Sequence, residues 1–156
     1  MDASQAQRKQ NTMVSAVTTT ENKELVRRFA DQFINEHNYE TAEEFLAEDV
    51  HDYTPMGETT GRDAVVETGK AIETAFPDFN ITLEELVADG DTVAVRMTQR
   101  GTHEGVFMGI EPTGRSFEIE AMAFARVKDG KIVERRAGPD VLGLLRQLGV
   151  TELPSA

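Results

Sequence analysis

Apolar residues in the first part of the chain recur at helical spacing. Between residues 21 and 36 they lie three or four positions apart, which predicts an amphipathic helix; they are Leu25, Val26, Phe29, Phe33 and Ile34. Residues 1–19 carry no such stripe, and their polar composition predicts a disordered lead-in. We therefore expect one domain over residues 20–150 and a short tail over residues 151–156.

Two further helices are predicted before the alternating, strand-like pattern begins at residue 80. Thr41 followed by Glu44 is a capping-box pattern, and it predicts a short helix that carries Phe45 and Leu46. The segment VHDYTP that follows is expected to be a short extended piece or a loop, ended by its proline. A third helix is predicted over residues 62–75, because the proline of FPDF cannot continue it.

The second half of the chain alternates between apolar and polar residues, as β-strands do. The alternation predicts four strands, over residues 80–88, 92–102, 116–127 and 131–136. Asp-Gly pairs at 89–90 and 129–130 suit tight hairpin turns, so the strands are expected to form an antiparallel meander. A last helix is predicted over residues 141–148, closed by Gly149.

This order of elements indicates an α+β fold. Three helices, four strands and a final helix predict a curved antiparallel sheet wrapped by the N-terminal helices, with a short C-terminal helix. The strands TVAVRMT and EAMAFARV are apolar on both faces, more than one buried face requires. We therefore expect a homodimer packed through the sheet.

Composition narrows the classes of partner. The 156 residues carry a formal net charge of −12, which repels nucleic acid and anionic membranes, so neither is expected as a partner. The acidic surface indicates adaptation to high salt, with an ordinary acidic cytosolic protein as the alternative. The chain lacks cysteine, which excludes disulfides and thiol catalysis. It has no signal-peptide core and no membrane-length apolar run, so we expect a cytoplasmic protein; Met1 and Met13 both stay open as the start.

Asp140 is the acid whose role the pattern leaves open. It follows Gly138 and Pro139 and precedes an apolar helical run, which is the place of an N-cap. A carboxylate there is also able to carry a proton for a reaction, if its pKa lies near the working pH. Arg135 and Arg136 matter for this choice, because an arginine that points inward would hold Asp140 ionised.

Five segments together resemble one family. They are FPDF, DGDTVAVRMTQRGTHEG, GIEPTGRSFEI, KDGKIVE and DVLGLLRQLG, in this order. Over about residues 21–149 the chain resembles the SnoaL-like polyketide cyclases, also called ester cyclases. The resemblance implies the cystatin-like cone of the nuclear transport factor two superfamily, usually dimeric through the sheet. It also implies intramolecular aldol ring closure without metal or organic cofactor, with one aspartate as acid/base.

The resemblance assigns roles to particular residues. The aspartate before the C-terminal helix matches Asp140, while Arg136 stands where relatives commonly carry tryptophan. His103 matches the family's GTH, and His51 matches a polar position that faces the cavity. A histidine there would polarise a substrate carbonyl; for each the alternative is a buried, hydrogen-bonded structural residue. His37 is expected to lie in an exposed loop.

The expected function is a cofactor-free cyclase or isomerase that acts on a small apolar, carbonyl-bearing substrate. Asp140 and His103 are the catalytic candidates. His51 is also a substrate-binding candidate. Further candidates, each with core packing as its alternative, are Tyr53, Phe107, Met108, Met122 and Phe124. No metal is expected, because no metal-ligand spacing appears. Two alternatives remain: a non-catalytic small-molecule-binding protein, and an epoxide hydrolase that places Arg96 and a second acid near Asp140.

Overall fold

The computed structural model describes residues 2–152, except for the side chains of residues 15–17. The helical elements are α1 (Ala3–Arg28), a π-helix (Phe29–Asn35), a 3-10 turn (Tyr39–Thr41), α2 (Ala42–Phe45), α3 (Arg62–Ala75) and α4 (Val141–Gln147). The strands are β1 (Leu46–Thr54), β2 (Gly57–Thr60), β3 (Asn80–Asp89), β4 (Thr92–Thr102), β5 (Ser116–Lys128) and β6 (Lys131–Pro139). The α+β class, the third helix and all four predicted strands are confirmed.

The sheet has six strands in the order β2-β1-β6-β5-β4-β3. β3 to β6 form the predicted antiparallel meander. At the β5–β6 turn both Asp129 and Gly130 have positive φ, 51° and 73°, as a type I′ turn requires. β1 pairs in parallel with β6, so the sheet is mixed and not wholly antiparallel.

The segment VHDYTP, predicted as a short extended piece or a loop, is extended in β1, but the β1–β2 hairpin itself was not predicted. β1 departs from regular alternation, because its register against β6 shifts between Leu46 and His51. It also buries a charged residue, Asp52, at a position where alternation leads one to expect an apolar side chain. Such a bulged strand with an inward acid does not carry the period-2 signal of a half-buried strand.

The predictions for the N-terminal segments need two corrections. The predicted disordered lead-in is helical from Ala3, where the Asp2 side chain accepts a hydrogen bond from the Ser4 backbone N–H. Residues 1–28 contain no glycine or proline, so no strong helix breaker separates the lead-in from the predicted first helix. The predicted capping box is absent as well, because the Thr41 hydroxyl donates to the Asn38 carbonyl oxygen at 2.6 Å.

The helices cover the concave face of the curved sheet. The π-helix contributes Phe29 and Phe33, whose rings stack with centroids 4.9 Å apart, to a core shared with the sheet. A second cluster joins the end of α3 and α4 to β5 through Phe76, Phe117 and Leu148. The opposite, outer face of the sheet remains open to solvent.

Candidate active site

A cavity of about 320 Å³ lies between the helices and the concave face of the sheet. Its lining comes mainly from apolar side chains of the π-helix, α3 and the strands, among them Phe33, Ile72, Phe76, Leu83, Met97 and Ile119. The polar side chains that line it are His37, Tyr39, Thr54, Thr68, Gln99 and Arg135. Within residues 2–152, no carboxylate is among the lining side chains. The cavity thus suits a largely apolar molecule with few polar groups.

Part of the wall formed by β5 and β6 is made of small side chains. Ala123 and Ala137 are cross-strand partners and both line the cavity. Ala125, which pairs with Arg135, lines it too. These three alanines therefore leave space in the cavity and supply no proton-transfer group.

Asp140 is the N-cap of α4, as predicted. Its Oδ1 accepts a hydrogen bond from the Gly143 backbone N–H at 2.9 Å. Gly143 makes room for this carboxylate, because a Cβ at that position would lie 2.2 Å from Asp140 Oδ2. The side chain is exposed, while its neighbours Pro139 and Val141 line the cavity. Asp140 is thus placed beside the cavity, and its role as a proton carrier stays a prediction.

Arg135 and Arg136 point in opposite directions. Arg135 lines the cavity and forms a bidentate ion pair with Asp52, with Nε–Oδ1 and Nη2–Oδ2 distances of 3.0 and 3.1 Å. Arg136 lies over the Tyr53 ring, 3.8 Å from its centroid, and pairs with Glu134. Among the residues that the structure describes, neither arginine forms an ion pair with Asp140.

His103 is fully buried and does not line the cavity. Its Nδ1 accepts the Thr113 backbone N–H at 3.2 Å and lies 3.0 Å from the Thr113 hydroxyl oxygen. Its ring packs against Phe76, which does line the cavity. In the described part of the chain, His103 Nε2 has no hydrogen-bond partner. The histidine therefore anchors the loop between β4 and β5, and it adjoins the cavity lining through its contact with Phe76.

Three of the predicted substrate-binding residues lie outside the cavity. Asp52 takes the inward position of β1, so its neighbours His51 and Tyr53 face outward. The same alternation leaves Met122 on the outer face of β5, 54% exposed. A period of two fixes which residues share a face, but not which face is concave.

The other three predicted substrate-binding residues do lie along the cavity. Phe107 and Met108 line it from the loop between β4 and β5. Phe124 borders it, although strand alternation leaves this side chain 55% exposed on the outer face of β5. The loop that carries the GTH sequence is therefore a wall of the cavity through its phenylalanine and methionine.

A polar cluster that the sequence did not predict lies at the end of the π-helix. The Tyr39 hydroxyl donates to Glu73 Oε2 at 2.9 Å, and His37 Nδ1 lies 3.7 Å from the same oxygen. Burial, together with the hydrogen bond to Glu73, raises the pKa of Tyr39 above its usual range. His37 was expected in an exposed loop. Its backbone is in the left-handed region (φ 54°), and its side chain is only 18% exposed.

Arg96 forms its ion pairs with residues other than Asp140 among the residues that the structure describes. It lies on the outer face of the sheet, 3.4 Å from Glu85 and 3.6 Å from Glu120. Arg96 is not among the side chains that line the cavity, so its position lends no support to the epoxide-hydrolase arrangement. Over residues 2–152 no group of three or more histidine or acidic side chains is placed to hold a metal ion. None of the helices in that range has the length and apolar character of a membrane span.

Comparison with known proteins agrees with the motif order. Residues 24–148 match the model of the SnoaL-like polyketide cyclases. The chain is 32% identical over 134 residues to the aklanonic acid methyl ester cyclase DauD of Streptomyces sp. (strain C5), covering 81% of this chain and 80% of DauD. It is also 32% identical to the aklanonic acid methyl ester cyclase DnrD of Streptomyces peucetius, covering 81% of this chain and 89% of DnrD.

Solved structures share the fold. Wild-type IdmH from Streptomyces antibioticus superposes with a TM-score of 0.74 at 33% identity, covering 83% of this chain and 99% of IdmH. A SnoaL-like protein from Jannaschia sp. CCS1 has a TM-score of 0.79 at 20% identity, covering 86% of this chain and 95% of its own. The second similarity concerns the fold alone.

Proposed function

The chain belongs to the SnoaL-like polyketide cyclase family, and from that premise we propose that it closes a ring in a largely apolar molecule that carries carbonyl groups. The single observation that supports this substrate class is the cavity of about 320 Å³ with its mainly apolar lining. The relatives DauD and DnrD are aklanonic acid methyl ester cyclases, so an ester-bearing polyketide is the class of substrate we propose.

The proposed reaction is an intramolecular aldol addition with Asp140 as acid/base. Asp140 removes a proton from the carbon next to one carbonyl, and the resulting enolate attacks a second carbonyl of the same molecule. The new alkoxide then takes up a proton, so the product is an isomer of the substrate. Asp140 Oδ1 is occupied by the Gly143 N–H, which leaves Oδ2 to exchange the proton.

Replacement of Asp140 by asparagine separates its two roles. Asparagine caps a helix about as well as aspartate, so we expect Asp140→Asn to cost at most roughly 1 kcal/mol of unfolding free energy. It cannot act as a base, so proton transfer should fall by roughly 10²–10⁴-fold. The assay is deuterium exchange at the carbon next to the carbonyl of 1-tetralone, followed by NMR in D₂O.

Asp129→Asn is the matched control, because Asp129 lies in the β5–β6 turn and asparagine tolerates its positive φ. This variant should exchange at the wild-type rate. Equal exchange rates in wild type and Asp140→Asn would show that Asp140 is a helix cap alone. If that common rate exceeds the buffer rate, another group carries the proton.

A second candidate function is non-catalytic binding of a small apolar molecule. The observation that favours it is that no carboxylate is among the lining side chains of the described chain, while β5 and β6 present alanines there. The same assay distinguishes the two functions. A wild-type protein that binds 1-tetralone but does not accelerate exchange beyond the buffer rate acts as a binding protein.

A further inference from the structure

We propose that Arg135 is the residue that recognises the carbonyl oxygen of the ligand, and that Asp52 positions it. This inference rests on the proposed carbonyl-bearing substrate and adds a specific group that selects it. The two residues are cross-strand partners on the parallel strands β1 and β6, so both side chains turn to the concave face of the sheet. The pair lies in the cavity wall, because Arg135 lines the cavity.

The guanidinium of Arg135 is held in a fixed orientation. Asp52 is only 1% exposed and binds it with both carboxylate oxygens. The Phe29 ring lies on another side, with the guanidinium carbon 5.3 Å from its centroid. A bidentate pair together with a ring contact leaves a planar arginine little freedom to reorient. A preorganised donor of this kind needs no rearrangement when a ligand arrives.

Part of the hydrogen-bonding capacity of Arg135 is not used by the protein. A guanidinium has five N–H donors, and the two bonds to Asp52 use Nε and Nη2. Across residues 2–152, Nη1 makes no hydrogen bond to another residue. Since the side chain lines a mainly apolar cavity, a ligand oxygen is the natural acceptor for this nitrogen.

The charge of the pair selects the kind of oxygen. Arg135 and Asp52 together carry no net charge, so a permanent anion would meet the carboxylate as well as the guanidinium. A neutral carbonyl oxygen can accept from Nη1, and the interaction strengthens as negative charge develops on that oxygen in an enolate. The Tyr39 hydroxyl does not compete as a donor, because its hydrogen is directed to Glu73.

The carbonyl stretching frequency of bound 1-tetralone, labelled with carbon-13 at the carbonyl, reports this hydrogen bond directly. In wild type we expect a shift to lower frequency relative to the ketone in an apolar solvent. We also expect tighter binding of 1-tetralone than of tetralin, which lacks the carbonyl, by roughly 10–100-fold, the range of a hydrogen bond to a charged donor. Both effects should disappear in Asp52→Asn/Arg135→Met, which leaves no unpaired charge behind.

Two single variants complete the design. Arg135→Lys keeps a positive charge beside Asp52 but lacks the planar fork, so it should lose the frequency shift even if the double variant fails to fold. Arg136→Met is the matched control, because Arg136 lies on the outer face of the same strand, and it should keep both effects.

The proposal is overturned if the frequency shift persists in Arg135→Lys and in the double variant. It is also overturned if Tyr39→Phe abolishes the shift. Failure of 1-tetralone to bind preferentially over tetralin in wild type also counts against it. The outcome is independent of Asp140, since Asp140→Asn should lose proton exchange and keep the shift. If the protein shows no proton exchange but the frequency shift still depends on Arg135, the proposed recognition by Arg135 stands. Only the proposed catalysis by Asp140 is then refuted.

Discussion

Breaking the Asp52–Arg135 pair should destabilise the fold by an amount that depends on which partner is removed. Loss of one partner of a buried pair costs about 3–5 kcal/mol, because the other charge remains without compensation. Asp52 is 1% exposed and Arg135 is 20% exposed. Arg135→Ala leaves the more deeply buried charge, that of Asp52, without a partner, so its cost should approach the upper value. The cost of Asp52→Ala should lie near the lower value.

The expected shift in melting temperature follows from the size of the chain. For a domain of about 150 residues, 1 kcal/mol corresponds to roughly 2–4 °C, so the two variants should melt roughly 6–20 °C below wild type. Asp52→Leu/Arg135→Met should recover most of this loss, because replacing a buried pair by apolar residues is often neutral. Differential scanning calorimetry and urea unfolding measure both quantities.

An exposed ion pair in the same sheet provides the control. Arg100 and Glu118 lie 3.1 Å apart with side chains 38% and 65% exposed, so Glu118→Ala should cost at most about 1 kcal/mol. The reasoning is refuted if Asp52→Ala and Arg135→Ala each cost no more than this control. It is refuted equally if the loss of unfolding free energy in Asp52→Leu/Arg135→Met equals the sum of the losses in the two single variants. The two charges would then contribute independently.

Three further predictions concern titration, salt and assembly. Because burial and the hydrogen bond to Glu73 raise the pKa of Tyr39, the folded state keeps its proton where the unfolded chain loses it. Stability should therefore fall as pH rises above about 10, and urea unfolding across this pH range measures the loss. The net charge of −12 predicts a melting temperature that rises with potassium chloride, and a flat or falling one would contradict this. Exposed Val87, Met122 and Phe124 on the outer face predict a homodimer by light scattering, and a monomer at every salt concentration would exclude it.

The parts of the fold that the sequence predicted are those governed by local signals. The end of the helix predicted over residues 62–75 follows from the proline after it, and the structure ends α3 at Ala75. The β5–β6 turn follows from Asp129 and Gly130, which tolerate positive φ. The cap at Asp140 follows from its residue type and place. Each depends on a few neighbouring residues, so no tertiary information was needed.

The candidate site depended on information that is not local. Alternation groups His51 with Tyr53, but the buried Asp52 between them decides that both face outward. Asp52 and Arg135 are 83 positions apart in sequence and become neighbours only through the parallel pairing of β1 and β6. A charged residue inside an otherwise buried strand is the sequence signal for such a pair, although one strand alone does not identify its partner.

A crystal structure of the protein with 1-tetralone tests most directly whether this cavity binds and activates a carbonyl compound. We predict that the ketone lies in the cavity, with its oxygen within hydrogen-bond distance of Arg135 Nη1 and the adjacent CH₂ group facing Asp140. A ketone bound on the outer face of the sheet, or one in the cavity whose oxygen is directed away from Arg135, would contradict it.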